Sequence, residues 1–259
     1  MSDIVVFSVV RDFSMYKKCM EENPFLDGCE LAPYDNRKTN DHISTAYNKL
    51  INTRPVNEDA WYMFAHEDFQ LQESLKPHLE DLDKNVLWGP IGAATKPRFG
   101  IYYQWQLLGK IEECKKDGSD VRPVGRSVMK GTQVDTFDCQ SLIVHSSLIQ
   151  QHNLRFDEKL SFDLYVEDFC IQAREKANIL SKILPLKARH WSGGNVQKRY
   201  YEQESYLNKK YPSSCYTGTS SWTLGGKIPF FWRLTVAVKR FCRAGRSLNR
   251  AGRSLRFRT

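Results

Sequence analysis

The sequence predicts an α/β sandwich, and three observations carry that prediction. A short β-branched run, Ile4 to Val10, stands near the start; similar runs then alternate with segments of helical periodicity; and polar clusters sit where apolar runs end. At 259 residues and 41% hydrophobic content the chain can bury one sizeable core. Its 14 Phe, 12 Tyr and 6 Trp exclude disorder for most of the length.

Taken in order, Ile4 to Val10 reads as a buried first strand, and Met15 to Glu22 as a helix stopping before Pro24. Leu31 to Asn36 reads as a second strand breaking into a loop. Ser44 is expected to N-cap a helix that runs through TAYNKLINT to Thr53. Trp61 to Ala65 is a third strand, and Val86 to Ala93 an apolar strand interrupted by glycines. Asp135 to Val144 reads as a strand with a polar start, Phe156 to Asp163 as a loop, and Val166 to Lys176 as a helix. Ile179 to Ala188 resembles an edge strand around Pro185, ending at His190 and the turn Ser192-Gly193-Gly194.

The net charge of +8 is local. Residues 239–259 hold eight Lys or Arg and no Asp or Glu, which accounts for the whole excess and leaves a neutral body. Seven scattered cysteines, none spaced as CxxC, argue against a disulfide framework or a zinc ribbon and for a reducing cytoplasm. The start, MSDIVVFSVVRD, lacks a basic n-region and reads as a strand, not a signal peptide. No stretch approaches the roughly 20 apolar residues that span a bilayer, so any membrane contact is expected to be peripheral.

Two acidic clusters stand out: His66-Glu67-Asp68 after WYMFA, and Glu167-Asp168 opening FCIQARE. In open α/β sheets, ligands collect beyond the carboxyl ends of strands, which makes the first cluster a candidate for chemistry. On an extended backbone residues 66 and 68 point one way and Glu67 the other. Without further context, Asp68 reads first as the N-cap of a helix beginning FQLQESL, and Glu167-Asp168 equally as acids favoured by a helix dipole.

The ordered set of IVVFSVVRD, Ala46-Tyr47-Asn48, FAHEDF, VDTFDCQSLIV, FDEKLSFDLYVEDFCIQARE and a late His190 resembles the inverting glycosyltransferases of family 2, over about residues 3–211. The resemblance implies a GT-A fold, a Rossmann-like three-layer α/β/α sandwich with a mostly parallel central sheet. It implies a divalent cation, Mn2+ or Mg2+, bound by Asp68, His66 and His190, although the family's first aspartate is replaced by His66. Mixed nitrogen and oxygen ligands favour manganese. Asp168 is the implied catalytic base, with Glu167 at the acceptor or behind it. Asp35 is implied at the nucleotide base, Asp138 at the donor sugar, and Lys96 and Arg98 at phosphate.

The domain is therefore expected to span 1–212, followed by a linker at 213–228 and a basic tail at 229–259. Arg-Ala-Gly-Arg-Ser-Leu occurs at 243–248 and 250–255, behind the apolar PFFWRLTVAVKRF. Bulky anchors beside a cationic face suit an anionic membrane surface, so a peripheral position at the cytosolic membrane face is expected, with no nucleic-acid partner. The resulting expectation is transfer of a sugar from a nucleotide-sugar donor to a glycan or lipid-linked acceptor in cell-surface polysaccharide or glycolipid synthesis. The competing readings are a nucleotidyltransferase on a related fold and a non-catalytic carbohydrate or nucleic-acid binding protein.

Overall fold

The computed structural model describes residues 3–98, 102–191, 197–228 and 232–233. Its strands are β1 (Asp3–Val10), β2 (Glu30–Asp35), β3 (Ala60–Ala65), β4 (Phe69–Leu71), β5 (Val86–Gly89), β6 (Ile91–Arg98), β7 (Tyr102–Glu113), β8 (Arg122–Arg126), β9 (Gln133–Val134), β10 (Thr136–Phe137), β11 (Ser141–His145), β12 (Leu180–Ile183) and β13 (Ala188–His190). The helices are α1 (Phe13–Tyr16), α2 (Asn36–Thr39), α3 (Ile43–Asn52), α4 (Lys76–Leu79), α5 (Ser146–Gln151), α6 (Tyr165–Ala177) and α7 (Lys198–Lys210).

The main sheet has seven strands in the order β2-β1-β3-β11-β5-β12-β9. It is mixed, not mostly parallel: β1 runs parallel to β2 and β3, and β12 to β5, while β11 is antiparallel to both β3 and β5, and β9 to β12. The expected Asp135 to Val144 strand is broken around Asp138 into β10, which joins β6 of a second sheet, and β11, which runs antiparallel to β3. Likewise β12 is an interior strand and not an edge, because β9 pairs onto its outer side.

Alternation along the central strands explains why both faces of this sheet are covered. Phe7, Tyr62, Phe64, Leu142 and Val144 join one core with α3, α5 and α6, through Tyr47, Leu148 and Phe169. Their neighbours Val6, Trp61, Met63 and Ile143 join a second core with Tyr16, Met20, Phe69, Leu79 and Leu186. The layer on that second face is not purely helical. It includes a second sheet, β10-β6-β7-β13-β4 with β8 on β7, which the sequence reading did not foresee. Pro90 ends β5, and β6 then pairs with β7 from Ile91↔Gly109 to Arg98↔Tyr102. A bulge at Leu108 and Gly109, both opposite Arg126, marks where β8 begins to pair along the other edge of β7 while β6 is still paired on the first. Gly109 sits at φ +85°, where an added Cβ would lie 2.0 Å from the Pro90 carbonyl oxygen.

Three local expectations change. Ser44 lies inside α3, where its hydroxyl donates to the Leu160 carbonyl, and His42 occupies the N-cap position. Phe69–Leu71 is a strand, so Asp68 caps no helix. The expected linker is packed against the body: Thr217 N donates to Asp135 at 3.0 Å, Trp105 Nε1 donates to the Gly218 carbonyl at 3.1 Å, and Leu224 is buried. Apart from Trp232 and Arg233, the expected tail lies outside the described residues, as do Ser192-Gly193-Gly194. Among the described residues no helix is long and apolar enough to cross a membrane.

Candidate active site

β3 ends at Ala65 and delivers His66 to a junction of four segments. His66 N donates to the Gln140 carbonyl at 3.0 Å, just before β11 begins, and Tyr47 of α3 donates to the Ala65 carbonyl at 3.1 Å. β4 then pairs antiparallel with β13, placing Phe69 opposite His190. Trp191 N donates to the Asp68 carbonyl at 3.0 Å, which fixes the end of β13 beside the acidic motif. A sequence separation of more than a hundred residues is closed here by strand pairing.

The result is a cleft of about 310 Å³ lined by His66, Asp68, Asp138, Glu167 and His190, among others. His66, Asp68 and His190 each offer a ligand atom, and these atoms all lie within 4.8 Å of one another. Asp68 Oδ1 stands 3.3 Å from His190 Nε2 and 4.0 Å from His66 Nδ1. Glu67 turns the other way, accepting from the backbone N–H groups of Arg11 and Asp12 and so tying the end of β1 to this motif.

The residues fit a divalent cation. His190 is buried and neither ring nitrogen forms a hydrogen bond of good geometry; its approach to Asp68 is an electrostatic contact without the alignment of a hydrogen bond. Burial pushes His66 down to about 4, so this imidazole is neutral and has a lone pair to give. Burial also works against ionised Asp68, but His190 beside it wins and holds the carboxyl below the usual range. Two imidazoles and one carboxylate are a donor set that manganese accepts more readily than magnesium.

Glu167, in the first turn of α6, is buried, and both carboxyl oxygens are engaged: Cys139 Sγ donates to Oε2 at 3.0 Å and Thr219 Oγ1 to Oε1 at 3.2 Å. Burial, reinforced by the nearby Asp138 carboxylate, pushes this group up to about 8. The helix N-terminus favours the anion, yet desolvation outweighs it. A carboxyl tuned to that range exchanges protons near neutrality.

Asp168 lies elsewhere. It is fully buried, is not part of the cleft lining, and is held by Lys210 and Tyr211 of the chain beyond the cleft. Successive helical residues point about 100° apart, so only one of the adjacent pair reaches the cleft, and it is the glutamate. Asp138 does line the cleft. Asp35 does not: it is exposed at the end of β2, N-caps α2 and is gripped by Arg37 at 2.9 and 2.6 Å, which holds its carboxyl at about 2. Lys96 is exposed on β6 and also outside the cleft lining, and the expectation for the Arg98 side chain falls outside the described residues.

Several cleft residues carry no sequence signal. Glu113 ends β7 and pairs with Arg122 at 3.1 Å, Tyr200 comes from α7, and Thr219 comes from the segment read as a linker. Tyr165, the first residue of α6, receives a 3.0 Å contact from His66 Nε2. The left-handed Leu164 (φ +61°) turns the chain into that helix. Carboxylates outnumber cations in the lining, with Asp163 drawn to Arg199 at 2.6 Å and Glu113 to Arg122. An anionic ligand therefore enters this cleft only with a counter-ion.

No family model matches the sequence, and no curated protein matches it. Among solved structures, the chain is similar to S. aureus TarS 1–349 at 11% identity and a TM-score of 0.47, covering 82% of this chain and 72% of that one. It is similar to A197 from STIV at 11% identity and TM-score 0.40, covering 88% and 95%. It is also similar to the inositol-1-phosphate CTP transferase from T. maritima at 10% identity and TM-score 0.33, covering 78% and 94%. Likeness at this level carries no functional argument, and the function below rests on the cleft itself.

Proposed function

We propose that the chain is a metal-dependent inverting glycosyltransferase, moving a sugar from a nucleotide-sugar donor to a hydroxyl of a glycan or lipid-linked acceptor. The observation that carries this reading is the meeting, in one cleft beyond the end of β3, of the His66, Asp68 and His190 ligand atoms with the buried carboxyl of Glu167. A proton acceptor and a place for a counter-ion are the two requirements of a single displacement at an anomeric carbon with a diphosphate leaving group.

In this reading His66, Asp68 and His190 would hold a divalent cation, which when bound would neutralise charge on a departing diphosphate. Glu167, in place of Asp168, takes the acceptor proton. Cys139 and Thr219 hold its carboxyl in one orientation, so the base is positioned before substrate arrives. Asp138 lines the same cleft, adds negative charge felt by Glu167, His66 and His190, and would face the donor sugar. Asp168 becomes a structural residue that fastens α6 to α7. Peripheral attachment through residues 229–259 at the cytosolic membrane face, bringing a lipid-linked acceptor within reach, belongs to the same proposal.

The test is thermal stabilisation of the purified protein by a panel of nucleoside diphosphates and nucleotide sugars, with and without Mn2+. The proposal expects stabilisation by one nucleotide, dependent on Mn2+ and lost in Asp68→Ala. Metal-dependent release of diphosphate from a nucleoside triphosphate, with no turnover of any nucleotide sugar, would assign a nucleotidyltransferase instead. Indifference to every nucleotide would point to a non-catalytic protein.

A further inference from the structure

The hydrogen bonds behind His66 decide which of its nitrogens faces the cleft. His66 Nε2 lies 3.0 Å from the hydroxyl of Tyr165, and that hydroxyl also contacts the backbone carbonyl of Cys139. A carbonyl can only accept, so the single phenolic proton goes to Cys139 and the tyrosine oxygen is left as an acceptor. The ring nitrogen facing it must then carry the proton. In a neutral imidazole this leaves Nδ1 bare, and Nδ1 is the atom 4.0 Å from Asp68 Oδ1.

We infer that Tyr165 is a positioning residue: it locks His66 as the Nε2–H tautomer and aims the Nδ1 lone pair into the space shared with Asp68 and His190, preorganising that trio for a divalent cation. The inference rests on the metal reading above. Two features support it beyond the hydrogen bonds. A lone pair 4.0 Å from a carboxylate oxygen is unfavourable without positive charge beside it, and a divalent cation held by the trio would supply that charge. Tyr165 is itself 1% exposed and fixed by packing against Tyr47 and Phe156, at centroid distances of 5.9 and 5.6 Å, so its hydroxyl is not free to swing away. This is the arrangement in which a ligating histidine gives its other N–H to a neighbouring group.

The experiment is two-bond 1H–15N correlation of the metal-free, 15N-histidine-labelled full chain, with the His66 signals identified by their loss in His66→Gln. The wild type is expected to show the Nε2–H pattern at His66, and Tyr165→Phe a shift toward Nδ1–H. Mn2+ affinity, read by electron paramagnetic resonance, should fall about 10- to 100-fold in Tyr165→Phe and stay at the wild-type value in Tyr62→Phe, which removes a buried hydroxyl that bonds Glu58 near the other end of β3. An Nδ1–H pattern in the wild type overturns the inference, and so does a Tyr165→Phe variant with unchanged tautomer and Mn2+ affinity. A wild type with the expected tautomer but no Mn2+ binding overturns the metal reading separately, because the tautomer is measured without metal.

Discussion

Lys210 places its ammonium 2.8 and 2.9 Å from the two carboxylate oxygens of Asp168, one turn of buried electrostatics that fastens the end of α7 to the first turn of α6. Tyr211 adds a third contact at 2.8 Å, and the same ammonium reaches Asp157 at 2.7 Å. Burial pushes the Asp168 carboxyl up, against the pull of the Lys210 and Tyr211 donors on its oxygens.

The consequence for mutagenesis is a division of labour between neighbours. Asp168→Asn leaves Lys210 half-paired in a buried setting and should cost about 3 kcal/mol of stability. The folded fraction should retain Mn2+-dependent turnover. Chemical denaturation alongside a turnover assay per folded molecule would separate the two effects; full stability with abolished turnover would return the base to Asp168.

Glu167→Gln should do the reverse. Turnover should fall by about 10²- to 10⁴-fold, and the low-pH limb of the rate profile, set by the need to ionise Glu167 at or below about 8, should vanish. Stability should change in a pH-dependent way. The folded carboxyl titrates at about 8 against an ordinary 4.5, so between these values the folded state binds the extra proton and loses stability as pH rises. Gln does not titrate. The variant's advantage in melting temperature over wild type should therefore be small at pH 5 and grow towards pH 8, and a constant offset would contradict the buried, raised carboxyl.

Mn2+ at a hundred times its dissociation constant should stabilise the wild type by about 2.7 kcal/mol. Asp68→Ala and His190→Ala should each lose most of that gain. Asp35→Ala should keep it, since Asp35 is exposed and committed to Arg37. Equal metal responses across the three variants would rule out the trio as the binding site.

Gly109→Ala tests the bulge at which β7 is paired with β6 on one edge and β8 on the other. The left-handed backbone alone costs about 1–2 kcal/mol for a residue with a Cβ, and the Pro90 carbonyl would have to move as well. A measured loss below about 1 kcal/mol would mean that this corner relaxes freely.

Much of the framework was legible because it is local. The β-branched run of β1, the fully apolar β3 and the periodicity of α3 and α6 announce themselves in short windows. His66 and Asp68 do diverge from Glu67, but not on the extended backbone expected from the sequence: residues 67–68 form a turn closed by Phe69 N–H to the His66 carbonyl at 3.0 Å. Direction in the sheet was not legible: β11 runs antiparallel to β3, and no period in DTFDCQSLIV encodes that direction or the change of sheet between β10 and β11. The choice between Glu167 and Asp168 was closed to the sequence for a similar reason. Both fit the first turn of a helix, and only the arrival of Lys210 beneath one and Thr219 above the other separates them. Thr219 itself lay in a stretch of small polar residues that reads as a linker until Trp105 and Asp135 are seen to hold it.

That late stretch also dictates when the protein becomes competent during its own manufacture. The cleft draws on His66 near the first third of the chain and on Thr219 near its end, with Asp138, Glu167 and His190 contributed in between. A polypeptide still emerging from the ribosome holds β1, β3 and the acidic motif long before the residue that orients Glu167 has been made. Translation must therefore run past residue 219 before the lining of the cleft is complete.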